Sequence, residues 1–157
     1  MQQTMTEDKK PRMRRLSVVS LQMVKEKTYP FRTNTIRSPL DVVDLVREFI
    51  GNADRENFIV ISLSTKNTVT NISVAHRGSI NASIVHPRET FKTAVLSNAA
   101  SIIVAHNHPS GNCQPSKEDI EVTKRLNEAG KILGIELLDH CIISDSDSYS
   151  MKEHGYI

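Results

Sequence analysis

Cysteine is scarce in this sequence. Only Cys113 and Cys141 are present, and two thiols give no framework of paired spacings. A disulfide scaffold is therefore not expected, and a reducing, cytoplasmic setting is the default. No apolar run reaches 18 residues, which excludes a membrane-spanning helix, and the N-terminus lacks the apolar core of a secretory signal. Internal repeats are absent. So are a P-loop, a Gly-x-Gly-x-x-Gly turn and the His-Glu-x-x-His pair of many zinc proteases. The His-x-Glu and Pro-Cys-x-x-Cys signature of the zinc deaminases is missing as well. A chain of 157 residues can nevertheless bury one sufficient core without staples.

Acidic residues are almost missing from one stretch. Residues 9–37 carry nine Lys and Arg against a single acid, Glu26, a local balance of +8. From residue 38 onward fifteen acidic residues face eleven basic ones, so a mildly acidic body follows a basic leader. A basic arm attracts nucleic acid, and DNA contact through residues 9–37 is one expectation. A solvated tail that aids solubility is the other.

Residues 1–15 are polar without apolar period and read as disordered. The stretch 16–25 is rich in β-branched residues and partly alternates, which predicts an edge strand. Ser38-Pro39 starts a helix whose apolar positions are Leu40, Val43, Val46, Phe49 and Ile50, and Gly51 stops it. Residues 58–63 read as a central strand, Lys66-Asn67 as a turn and 68–77 as the second strand of a hairpin. A loop follows to residue 83, with a short strand expected at Ile84-Val85. Pro87 opens a second helix through Phe91, Ala94, Val95 and Ala99. Residues 101–106 predict a buried strand, 116–133 a third helix and 135–144 a last long strand. Interleaved strands and helices imply an α/β structure with a mixed sheet flanked by helices, and the hairpin argues against an all-parallel sheet. The expected organisation is a basic leader over 1–33 and one domain over 34–157.

The chemistry concentrates in His106-Asn107-His108-Pro109-Ser110-Gly111-Asn112-Cys113-Gln114-Pro115-Ser116-Lys117-Glu118-Asp119. Two histidines one residue apart point the same way on extended chain. Two His and one Asp would leave the fourth position of a tetrahedral zinc open, the pattern of a catalytic rather than a structural site. Such a site needs a carboxylate that is not a ligand and a donor for the developing oxyanion. Ser116 and Asp119 also fit a capping box at a helix start, and both readings hold together. His140, inside an apolar strand, reads as a satisfied core histidine, and His76, His86 and His154 as surface or loop residues. Cys113 reads as a plain loop thiol, with a redox-sensitive or extra-ligand role as the alternatives.

His106-x-His108, seven residues, Ser116, two residues, Asp119 resembles the motif of the JAB/MPN (JAMM) metalloprotease family. The surrounding Ala105-His106-Asn107-His108-Pro109-Ser110-Gly111, Pro115-Ser116 and Leu138-Asp139-His140 resemble its RadC branch over roughly residues 34–157. The resemblance implies an MPN/JAB-like fold with cytidine-deaminase-like layering. It implies Zn²⁺ held by His106, His108 and Asp119, with Ser116 assisting the oxyanion. Glu56 stands where the family keeps the general base that takes a proton from the zinc-bound water; Glu89 is the alternative, at a helix start that accounts for a carboxylate by itself. The implied activity is hydrolysis of peptide or isopeptide bonds in a protein or peptide substrate. Full-length RadC proteins carry an N-terminal helix-hairpin-helix part, in whose place a basic leader is expected here. Two other classes stay open: a DNA repair or recombination accessory protein with a structural metal, and a metal-dependent nuclease.

Overall fold

The computed structural model describes residues 12–32 and 34–157. In chain order the elements are α1 (Pro39–Ile50), β1 (Asn57–Leu63), β2 (Val69–Arg77), α2 (Pro87–Thr90), α3 (Lys92–Leu96), β3 (Ser101–Asn107), α4 (Lys117–Leu133), β4 (Glu136–Ile143) and β5 (Ser148–Ser150). The strands form one mixed sheet in the order β2-β1-β3-β4-β5. β3 and β4 run parallel, and the other neighbours are antiparallel. A parallel pair needs a long crossover, which α4 supplies.

Alternation along β1 explains the layers. Phe58 and Val60 face one side, Ile59, Ile61 and Leu63 the other, and all are buried. The first side packs under Phe91, Val122 and Leu126, the second under Val42, Val43 and Val46 of α1. The sheet is thus covered on both faces, as its nearly continuous apolar strands require. The expected α/β class with a mixed sheet flanked by helices is what the chain adopts.

α1 begins at Ser38-Pro39 as expected. Its cap comes from Asp41, whose Oδ2 accepts from the N–H groups of Arg37 and Ser38 at 2.8 and 3.0 Å. Gly51 ends it at φ 56°. Leu40 is two-thirds exposed, and Val42 and Leu45 replace it on the buried face.

Three local expectations are corrected. The edge strand at 16–25 does not form: residues 12–28 run exposed without regular structure, and only Leu21 reaches a surface groove lined by Phe91 and Leu133. β-branched composition favours a packed pleated surface, and this stretch has no ladder to join. Ile84-Val85 is a turn, because Asn81 Oδ1 accepts from the N–H groups of Ser83 and Ile84 and so closes the chain locally. The helix from Pro87 breaks at Phe91 into α2 and α3, and Asn98, at φ 52°, turns the chain before Ala99. The disorder expected for residues 1–15 lies, up to residue 11, outside the described residues; residues 12–15 are exposed coil.

Candidate metal centre

β3 carries His106 to the end of the sheet, where it pairs with Phe58 of β1 on one side and Ile142 of β4 on the other. One step further the chain leaves the ladder, held by the His108 N–H donating to the Ile143 carbonyl at 2.8 Å. α4 then starts at the same spot. Ser116 is its N-cap, with Oγ accepting from the Asp119 N–H at 3.0 Å, while Asp119 Oδ2 accepts from the Ser116 N–H at 2.8 Å. This reciprocal pair is the capping box read from the sequence, and it fixes the Asp119 carboxylate toward the strand end.

The result is a convergence of three ligand groups. His106 Nε2 lies 3.0 Å from His108 Nε2 and 3.2 Å from Asp119 Oδ1, and His108 Nε2 lies 3.6 Å from Asp119 Oδ2. His106 and Asp119 are buried, and His108 keeps part of its ring open to solvent. His108 Nδ1 faces the Asn112 carbonyl at 2.6 Å; a carbonyl only accepts, so Nδ1 carries the proton and Nε2 presents a lone pair. Ligands about 2.0 Å from a tetrahedral ion stand about 3.3 Å apart, and the observed separations bracket that spacing. Two imidazole nitrogens and a carboxylate suit a borderline cation such as zinc. Among the described residues His106, His108 and Asp119 are the group of this kind that could hold a metal ion.

Electrostatics agree with a site built for positive charge. Burial pushes the Asp119 carboxyl up, yet the hydrogen bond and charge of His106 and two bonds from Ser116 outweigh it and hold the group well below the usual carboxylate range. His140 is held well below the ordinary imidazole value, first by full burial and then by the neighbouring His106.

Several residues around the triad escaped sequence reasoning. His140 is buried as expected for a core histidine, but its Nε2 lies 2.7 Å from His106 Nδ1 and its Nδ1 2.7 Å from Thr123 Oγ1. Thr123 lies four residues after Asp119, the same face of α4 one turn on, which was the available signal. Phe58 stacks on His106 and meets His140 edge-on. Asn107, between the two histidines, holds the chain on either side of Glu56: its Oδ1 accepts from the Asn57 N–H at 2.7 Å and its Nδ2 donates to the Arg55 carbonyl at 2.8 Å.

Glu56 precedes β1 at the histidine end of the sheet. Extending the β1–β3 register from Phe58 and His106 by two residues sets Glu56 opposite His108. Its described bonds run to the loop after β2, with Oε2 accepting from the Ile80 N–H at 3.1 Å and the carbonyl accepting from the Gly78 N–H. Glu89 is exposed and paired with Lys92 at 2.8 Å. Cys113 is buried against Ile142 and Met151 rather than held open in the loop.

Comparison with known proteins adds a family. The model of the RadC-like JAB domain matches residues 36–156. A UPF0758 protein of Desulfitobacterium hafniense is 53% identical over 128 residues, covering 82% of this chain and 56% of its own length. A UPF0758 protein of a Geobacillus species is 56% identical over 122 residues, 78% of this chain and 54% of that relative. One from Rubrobacter xylanophilus is 52% identical over 122 residues, 78% of this chain and 53% of its own length. The chain spans about half the length of the curated relatives it matches.

Proposed function

This chain belongs to the RadC-like JAB domain family, and from that membership we propose that it is a zinc-dependent hydrolase of peptide or isopeptide bonds. The observation that carries the proposal is the convergence of His106 Nε2, His108 Nε2 and the Asp119 carboxylate at one partly open spot. When bound there, a zinc ion supplies Lewis acidity and brings the pKa of a water molecule to about 7. Everything else falls to the protein. His106, His108 and Asp119 hold the ion, and the ring of His108 borders the approach from solvent. The Glu56 carboxylate accepts a proton from the attacking water and returns it to the amine as the C–N bond breaks. The Ser116 Oγ accepts from the Asp119 N–H, and its one proton turns from the Asp119 carboxylate to the carbonyl oxygen of the substrate as that oxygen approaches.

The test is metal content of the purified chain beside cleavage of a panel of peptide, isopeptide and DNA substrates. Wild type and Glu56→Gln are each expected to hold about one zinc per chain, with peptide-bond cleavage reduced by roughly 10²–10⁴ in the variant. The His106→Ala/His108→Ala variant is expected to hold none. Full zinc occupancy in that double variant would defeat the ligand assignment, and cleavage of DNA alone would turn the reading to a nuclease.

A second reading rests on a different observation. Arg12, Arg14, Arg15 and Lys25 are exposed in the stretch before Tyr29, where they can meet phosphates, and Lys27 lies 6.0 Å over the Tyr29 ring. In this reading the protein is an accessory of DNA repair or recombination. It requires DNA binding that weakens with salt and falls when residues 1–33 are removed; binding unchanged by the removal, or absent at low salt, would count against it.

A further inference from the structure

With one proton on each imidazole, the hydrogen bonds behind His106 have only one consistent polarity. Thr123 Oγ1 lies 2.7 Å from the Asp119 carbonyl and 2.7 Å from His140 Nδ1, and the residue is fully buried, so no water intervenes. A carbonyl cannot donate, and two oxygens at that distance need a proton between them, so the single hydroxyl proton of Thr123 goes to Asp119. The contact to His140 must then be made by an Nδ1–H of His140 donating to Thr123 Oγ1. A neutral His140 with its proton on Nδ1 offers a lone pair at Nε2. That lone pair faces His106 Nδ1 at 2.7 Å, so His106 donates from Nδ1. With both rings neutral, the remaining nitrogen of His106, Nε2, is left as an acceptor beside His108 Nε2 and Asp119; the hydrogen bond from His106 that lowers the Asp119 carboxyl belongs to the ring carrying a second proton, the proton a metal would replace.

We propose that Thr123 and His140 are positioning residues that fix the proton of His106 on Nδ1 and keep its Nε2 lone pair aimed at the metal position. The relay starts and ends on the site itself: its first acceptor is the backbone carbonyl of Asp119 and its last donor is the ring of His106. The partner that orders a ligating histidine is usually a carboxylate or a carbonyl; here a second imidazole does it, and a threonine sets that imidazole. Phe58, stacked on His106 and edge-on to His140, holds the two rings in place.

Loss of the threonine oxygen reverses the chain. With valine at 123, His140 Nδ1–H has nothing to donate to, and the proton is better placed on Nε2, donating to His106 Nδ1. His106 then carries its proton on Nε2, where it bonds to Asp119 and must be removed before a metal can bind.

The inference rests on the metal reading, and two measurements separate the fates of the two. The first is zinc and cobalt affinity of the full chain by chelator competition, for wild type, Thr123→Val and Thr123→Ser. Thr123→Val is expected to bind about 10–100-fold more weakly, and Thr123→Ser, which keeps the hydroxyl, to stay within about threefold of wild type, with thermal melts showing both folded. The second is ¹⁵N NMR of the ring nitrogens in metal-free protein at a pH where both rings are neutral, which reads the tautomer directly: Nδ1–H at His106 in wild type and the serine variant, Nε2–H in the valine variant. Equal affinity in wild type and Thr123→Val, or an Nε2–H His106 in wild type, overturns the proposal. A wild type that binds neither metal overturns the metal reading instead, and the NMR pattern then still decides whether the relay orders His106.

Discussion

At the residue scale, the buried polar groups of the described residues are paired at the sheet end that carries His106, while the Ser62 hydroxyl and the Asn71 Oδ1 are buried without a partner. Asp139 is the most fully paired carboxylate outside the His106, His108 and Asp119 group. Its Oδ1 accepts from the N–H groups of His140 and Lys152 at 2.7 and 3.0 Å, and its Oδ2 from the Ser150 hydroxyl at 2.6 Å. Cys141 lies against the same carboxylate and is almost fully buried, and burial first, then Asp139, pushes its thiol well above the ordinary value. A thiol that stays protonated in the fold but ionises in the unfolded chain contributes stability that is whole below about pH 9 and declines as pH rises through that value. Melting curves of the metal-free protein between pH 7 and 11 are expected to show a decline above about pH 9 that is smaller in Cys141→Ala; equal slopes would remove Cys141 as its source.

At the scale of elements, α4 has two jobs, since its first turn carries Asp119 and its last turns must fit over the sheet. Gly130 marks the closest approach. A Cβ there would stand 2.5 Å from the Ile135 carbonyl oxygen and 3.3 Å from the Phe91 ring, and a backbone oxygen does not yield as a side chain does. Alanine is favoured over glycine inside a helix by up to about 1 kcal/mol, yet the clash outweighs that gain. Gly130→Ala is expected to lower stability by about 1–3 kcal/mol in denaturant titration. A neutral or stabilising result would mean that α4 can shift away from β4 without penalty. The break at Phe91 in the expected second helix follows the same logic. Phe91 is drawn into the core beneath α4, and burying that ring ends α2 sooner than helical propensity would.

At the scale of the whole molecule, the stretch before Tyr29 is expected to contribute little to the stability of the folded body. Residues 12–28 are exposed, and the first side chains to pack are the Tyr29 and Phe31 rings, which meet each other and Phe49, with the Tyr29 hydroxyl donating to the Glu48 carbonyl. Surface segments without buried contacts contribute within about ±0.5 kcal/mol. Removing the chain up to residue 28 is therefore expected to leave the melting temperature within about 2 °C of the full chain. A larger drop would show that the apolar stretch from Leu16 to Val24 is docked in solution, the groove beside Leu21 being the surface to examine.

The sequence by itself determined what depends on neighbours in the chain. His106 and His108 share a side because strands alternate, Asp119 meets them because Ser116 caps a helix three residues earlier, and β1 and β3 are buried because they are nearly continuous apolar runs. Tertiary structure alone decided what depends on register. β3 and β4 slip by one residue between Ile102-Leu137 and Ile103-Asp139, a bulge at Leu138. Simple alternation from Leu137 would send His140 to the α1 side; the bulge reverses the alternation and brings it beneath α4, against His106 and Thr123. Asn107 and Glu56 are likewise fifty-one residues apart in the chain and neighbours only through the β1–β3 pairing. Local periodicity carries no information on how two distant strands align, so the triad was legible in the sequence and the groups that orient it were not.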